Sequence, residues 1–231
     1  MAVFVKNIER PNRIVVRRLS RFGIATIHES IGKETGNLMN CLIKPLNSGM
    51  KLAGPAITVD CFPADNITVH AAMTLCASGD VLVVNGHSSP SAMFGAQMSK
   101  QAIHRGIAGI VVDGGVRDSE EIRRMNFPCF ARFISAMGAA KNTPGSINIP
   151  IQCRGALVNP GDIIVGDDDG VVIVPRMRAG DVIELAVKRE DKERKDRKLY
   201  AKGKMSTEIN KFDEIIKERG VKEVDSLDQK H

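Results

Sequence analysis

The 231-residue chain has no tryptophan, a single tyrosine (Tyr200) and only 4% aromatic residues. A surface that stacks single-stranded nucleic acid on aromatic rings is therefore not expected. No apolar run approaches the ~20 residues that a membrane-spanning helix needs. The first residues, MAVFVKNIERPN, lack the apolar core of a secretory signal. The five cysteines (Cys41, Cys61, Cys76, Cys129, Cys153) stand far apart with no Cys-x-x-Cys pair. That usage suggests reduced, packed thiols in a cytoplasmic protein. Also missing are GxGxxG after a strand, a Walker A sequence, HExxH and GxSxG, so the familiar templates for dinucleotides, nucleoside triphosphates, zinc peptidases and serine hydrolases do not apply.

What is present describes a soluble globular chain, 43% hydrophobic and 26% charged. A chain this long buries roughly 70–75% of its unfolded surface. The net charge of +6 is uneven, because residues 186–204 alone carry net +5. Their signs are mixed, which suits a solvated helix face better than a nucleic-acid patch.

The apolar pattern alternates between two periods. Residues 11–22 carry Ile14, Val15, Leu19 and Phe22 at helical spacing and end at Gly23. Thr26 and Glu29 have the form of a second helix start. Strands are expected at 55–62, 80–85, 108–113 and 129–131, with helices at about 67–77, 94–105 and 118–126 between them. The stretch 86–91 reads as a loop. Strand-helix-strand-helix-strand is the signature of a parallel α/β layer. Residues 147–175 are short β runs broken by turns. Asp167-Asp168-Asp169-Gly170 between apolar runs reads as a hairpin, ahead of a metal site. A long charged helix follows from 179 to about 201, and a last helix at 206–218. The division expected is a catalytic α/β domain at 1–178 and a helical extension at 179–231 that packs between subunits.

The chemistry concentrates at Ile110-Val111-Val112-Asp113-Gly114-Gly115-Val116-Arg117-Asp118. A buried strand runs into a tight turn that ends in a guanidinium and a carboxylate. Open α/β sheets hold ligands beyond the carboxyl ends of their strands. Asp118 has two readings. With Glu121 it makes a capping box, or it holds a cation while Arg117 grips an anion. The preceding helix start, Gly95-Ala96-Gln97-Met98, offers unpaired backbone amides suited to a carboxylate. Both turns follow successive strands and are expected to face one crevice. Amides holding a carboxylate, Arg117 facing a developing enolate and Asp118 on Mg²⁺ or Mn²⁺ suit carbon–carbon cleavage beside a 2-oxo acid. A Schiff-base aldolase needs a desolvated lysine. Lys100 is the lysine expected near the crevice, and its neighbours are polar. His70 and His28 read as packed helical histidines.

Several blocks together resemble one family: RFGIATIHES (21–30), MFG (93–95), RGIAGIVVDGGVRD (105–118), NFPCFAR (126–132), GSINIPI (145–151) and GALVNPGDIIVGDDDGVVIVP (155–175). The chain is similar to the metal-dependent 4-hydroxy-4-methyl-2-oxoglutarate / 4-carboxy-4-hydroxy-2-oxoadipate aldolases, whose fold is shared with the regulator of ribonuclease E activity A. The resemblance implies an αββα sandwich in a homotrimer or dimer of trimers. It implies retro-aldol release of pyruvate and decarboxylation of oxaloacetate. Arg117 matches the substrate-binding arginine, Asp118 the metal ligand, and Gly95 to Met98 the loop whose amides hold the pyruvate carboxylate. Glu193 matches a glutamate that reaches a neighbour's metal-bound waters. The chain departs from the family at Ala96, where an acid is usual. That departure implies weaker cation binding, a different substrate or loss of the aldolase reaction, with Glu193 or His87 as candidate compensation. Two other functions follow the same resemblance: a non-catalytic regulator of an RNA-processing enzyme, and a metal lyase for sugar-acid derivatives.

Overall fold

The structure is a computed structural model that describes residues 1–33, 35–224 and 226. The last residues of the expected extension, 225 and 227–231, lie outside the described residues. The chain divides into two compact units, Met1–Ala186 and Val187–His231.

In the first unit, α1 (Arg13–Leu19) and α2 (Ile24–Ile31) precede β1 (Lys44–Pro45). The alternating layer follows as β2 (Leu52–Asp60), α3 (Ile67–Leu75), β3 (Val81–Phe94), α4 (Ala96–His104), β4 (Gly109–Val116), α5 (Ser119–Arg124) and β5 (Cys129–Ile134). Short strands β6 (Ser146–Ile147), β7 (Ile151–Cys153) and β8 (Ala156–Val158) lead to the hairpin β9 (Ile163–Asp167) and β10 (Gly170–Val174). Helix α6 (Ala179–Tyr200) crosses into the second unit, which holds α7 (Ser206–Ile209) and α8 (Phe212–Glu218).

The sheet order is β1-β5-β4-β3-β2-β9-β10. Strands β2 to β5 are mutually parallel, as the strand-helix alternation requires. Strand β2 is long enough to serve two neighbours. Residues 56–60 pair with β3 and residues 52–55 pair antiparallel with β9. The two expected β layers are therefore one continuous sheet, bent at β2. The bend brings its ends together: a Cβ built on Gly166 of β9 would lie 3.0 Å from the Phe130 ring of β5. Lys44 Nζ of β1 donates to the carbonyls of Asp168 and Asp169 in the β9–β10 turn. The result is nearly a barrel.

Burial follows the period-2 rule on the hairpin. Ile164, Val171 and Ile173 enter the main core with Val69, Met98 and Ile122 of α3, α4 and α5. Ile163, Val165, Val172 and Val174 face the other way and pack with Leu19, Ile27 and Ile183 of α1, α2 and α6. Helices on both outer faces complete the αββα sandwich.

Three local expectations change, and the Asp167–Gly170 hairpin is borne out. Thr26 lies inside α2, and Gly23 is the N-cap. The Ile24 amide donates to Asp167 Oδ2, so a residue distant in sequence does what a local cap would do. The stretch 86–91 is not a loop. It continues β3 against β4 through three register shifts, with His87 and Ser88 at φ 53° and 59°. The expected last helix is broken at Lys211, whose φ is 55°. Asp167 to Gly170 form the hairpin: Asp167 pairs with Gly170, and Asp168 accepts from the Gly49 amide.

Phe130 is fully buried where the sheet closes on itself. Phe130→Ala should cost ~3–5 kcal/mol of stability, read as a fall in the urea midpoint.

Candidate active site

The parallel register of β3 and β4 sets the site. Phe94 ends β3 opposite Val116, which ends β4. The residues that follow, Gly95-Ala96 and Arg117-Asp118, are thereby neighbours. The Arg117 amide donates to the Phe94 carbonyl at 3.1 Å. Asp118 takes a left-handed backbone, φ 56°, and does not cap its own helix with its side chain. Its Oδ2 instead accepts from the Ala96 amide at 3.1 Å, at the start of α4. The capping-box reading is overturned at its other end too, because Glu121 pairs with Lys100 at 2.6 Å. The carboxylate prefers the unpaired amides and positive dipole end of α4.

Gly95 is required for this approach. A Cβ there would meet Asp118 Oδ2 at 2.8 Å and Arg117 Cγ at 3.1 Å. Arg117 Nε lies 3.7 Å from Asp118 Oδ2. Both side chains remain largely open to solvent, as a substrate-facing pair must. Gln97 is exposed, whereas Ala96 and Met98 are buried. The Ala96 amide is spent on Asp118, which leaves Gln97 and Met98 to present the next amides of the helix start.

Gly95, Gln97, Met98, Arg117 and Asp118 wall a pocket of about 130 Å³. That is small beside the ~300–1,000 Å³ of drug-sized sites and suits a small acid. Its far wall comes from Asn66, His70 and Lys141. Asp65 builds that wall. Oδ1 accepts from the Ile67 amide and starts α3, while Oδ2 accepts from the amides of Asn142 and Thr143. Helix α3, with His70, and the loop with Lys141 are thus tied to one carboxylate. Desolvation opposes ionisation of Asp65, but the three backbone donors and Lys141 outweigh it and lower its pKa. Asn66 donates to the Met93 carbonyl, while its own side-chain oxygen is buried without a donor.

The sequence reading missed this wall. His70 read as a packed helical residue, whereas it lines the pocket. Lys100, the lysine expected at the crevice, is paired with Glu121, and the lysine lining the pocket is Lys141. Nothing local marks Lys141, since its position depends on a loop held from far away in sequence. His87 pairs with Asp60 at 3.2 Å and is not among the residues lining the pocket. Glu193 belongs to the other compact unit, where it pairs with Arg189.

The fold and the crevice define a class: an αββα protein with an Arg-Asp turn and a helix start at the carboxyl ends of adjacent parallel strands. The family model described as RraA-like, Aldolase/RraA, matches residues 24–173, and the chain belongs to that family. A Halalkalibacterium halodurans protein, provisionally named a 4-hydroxy-4-methyl-2-oxoglutarate aldolase, is 39% identical over 159 residues, 68% of this chain and 76% of its own. The Thermus thermophilus 4-hydroxy-4-methyl-2-oxoglutarate aldolase is 30% identical over 63% of this chain and 88% of its own. Among solved structures, Streptomyces coelicolor RraAS2, titled an unusual member of the RNase ES inhibitor RraA family, superposes with a TM-score of 0.77. It is 30% identical, and the match covers 83% of this chain and 99% of that one.

Two outcomes test this geometry. Gly95→Ala should displace the Asp118 carboxylate and shift the Ala96 amide resonance in a ¹⁵N–¹H spectrum. An unmoved resonance would show that the contact is not made. His70 is held below its ordinary pKa of 6.5 by desolvation first and the Lys141 charge second. The unfolded chain therefore takes up this proton first. The stability contribution is present above pH 6.5 and is lost as pH falls through the lowered folded value. His70→Gln should flatten that acid limb of urea midpoints, with the ring of the native protein titrating below 6.5.

Proposed function

We propose that the chain is a lyase that cleaves 4-hydroxy-2-oxo diacids to pyruvate, with oxaloacetate decarboxylation as a companion reaction. The observation that carries this is the Gly95–Ala96/Arg117–Asp118 junction. It joins a helix start, a solvent-facing guanidinium and a carboxylate in one small pocket. Aldolase-named relatives at 30–39% identity support it.

The charge balance suits the substrate class. Arg117 and Lys141 line the pocket against a single carboxylate, Asp118, so a dianion gains more than it loses there. In this reading the amides of Gln97 and Met98 take the carboxylate next to the oxo group. Arg117 takes the oxo oxygen, which becomes the enolate oxygen as the C3–C4 bond breaks. Lys141 takes the distal carboxylate. His70, neutral at pH 7, is the pocket's acceptor for the C4 hydroxyl proton. The exposed Lys141 is a poor Schiff-base nucleophile, because that chemistry needs a desolvated amine.

The residues fit a divalent cation that keeps most of its water. Among the described residues there is no group of three or more acidic, His or Cys ligands. Mg²⁺ or Mn²⁺ needs only one or two carboxylates beside substrate and water. Asp118 would hold it, and it would serve as Lewis acid for the 2-oxo group. Glu193 from a neighbouring subunit completes this reading, in which the extension expected from residue 179 is cut back to 187–231, because Ala179, Val182 and Ile183 pack in the first unit's own core, within a homotrimer or dimer of trimers.

A second reading, a non-catalytic regulator of an RNA-processing enzyme, draws on Ala96. That residue is 1% exposed and puts a methyl group where a second acid would serve. One assay separates the two. Pyruvate release from 4-hydroxy-4-methyl-2-oxoglutarate should require Mg²⁺ or Mn²⁺. It should vanish in Asp118→Ala and fall by roughly 10²–10³ in kcat in Arg117→Lys. No turnover with either metal on this diacid or on oxaloacetate would sink the lyase reading. Inhibition of a ribonuclease by the inactive protein would then establish the regulator.

A further inference from the structure

A larger pocket lies at the opposite ends of the same strands. It has a volume of about 400 Å³ and sits where β2 begins and the chain enters β3. It is a strand length, roughly 25 Å, from the Arg117–Asp118 turn at ~3.3 Å per residue. One wall is α1 with the residues before it, and this wall lies outside the family match, which begins at residue 24.

Three arginines line it. Arg10 is neutralised by Asp80, which is 1% exposed and accepts from Arg10 Nε at 2.9 Å and Nη2 at 2.8 Å. The Ala77 amide also donates to Asp80, so that pair forms a fixed base for the pocket. Arg13 and Arg17 are different. They lie four residues apart on α1, on one face, where like charges repel. Arg13 reaches only the Ser78 carbonyl, at 3.4 Å. Neither guanidinium has a carboxylate partner among the described residues. The helix carries no acid in its first turn to offset them. Between the charges the pocket is apolar, lined by Val16, Ala53 and Pro55.

We propose that this pocket binds a small organic phosphomonoester, apart from the crevice and independently of the reaction there. Two adjacent guanidinium forks match the three oxygens of a dianionic phosphate. The apolar lining takes the organic body, and the volume falls within the ~300–1,000 Å³ range of small-molecule sites. The unpaired charges of Arg13 and Arg17 are then compensated by the ligand.

The test is calorimetric titration of the full-length protein with phenyl phosphate. Saturable one-to-one binding is expected, with inorganic phosphate weaker by about tenfold or more, because it lacks the body that fills the apolar lining. Arg13→Gln/Arg17→Gln should weaken binding by about tenfold or more, and Arg117→Gln should leave it unchanged. Arg17→Gln alone should weaken it several-fold. Its guanidinium has no partner among the described residues to lose, so the fold is kept. Four results would overturn the proposal: no saturation; equal binding by inorganic phosphate, which means an adventitious ion only; equal binding by benzoate, which removes the phosphate assignment; or loss in Arg117→Gln with retention in the double variant, which puts the ligand in the crevice.

Discussion

The hydrogen bond from the Ala96 amide to Asp118 joins the two halves of the site. It depends on two constraints acting together. The parallel register ends β3 and β4 at the same level, and the absence of a Cβ at Gly95 lets the carboxylate approach. The left-handed backbone of Asp118 turns its side chain away from its own helix and toward the next. Without that contact the helix start and the Arg-Asp turn would be separate features of two loops. With it they form one rimmed pocket whose anion-binding parts come from rigid elements.

The same economy recurs elsewhere in the first unit. Single carboxylates tie distant segments: Asp65 fixes the 142–143 loop to the start of α3, Asp80 fixes the amino-terminal segment to the start of β3, and Asp167 caps α2 from the β9–β10 turn. Each accepts from backbone amides or a guanidinium fork, which offsets the cost of burying a charge. The cysteines contribute differently. All five are free, and burial pushes the thiols of Cys61, Cys76 and Cys129 up to about 12, which makes them packing groups rather than nucleophiles. No described helix is long and apolar enough to cross a membrane.

The two pockets divide the molecule's chemistry between the ends of its strands. The crevice at the carboxyl ends lies within the family match and is lined by Arg117, Lys141, His70 and Asp118. The basic pocket at the other end is walled on one side by residues before that match and on the other by residues within it. Ala96 is buried at the start of α4, and Asp118 is the one acid among the described residues lining the crevice.

The sequence by itself determined the order of strands and helices, the hairpin at Asp167–Gly170, and the Arg117-Asp118 turn opposite Gly95–Met98. Each is written in local periodicity or in turn residues, which act over a few positions. It also marked Ala96 as the departure. Tertiary structure decided what those residues touch. It gave Asp118 the Ala96 amide in place of its own helix, gave Lys100 to Glu121, and brought His70 and Lys141 to the pocket. It carried β3 through the stretch that reads as a loop, because an adjacent strand satisfied its backbone groups. It also gathered Arg10, Arg13 and Arg17 over the start of β2, where nothing in their spacing announces a pocket. Such contacts join segments dozens of residues apart, and only the folded sheet holds them at bonding distance.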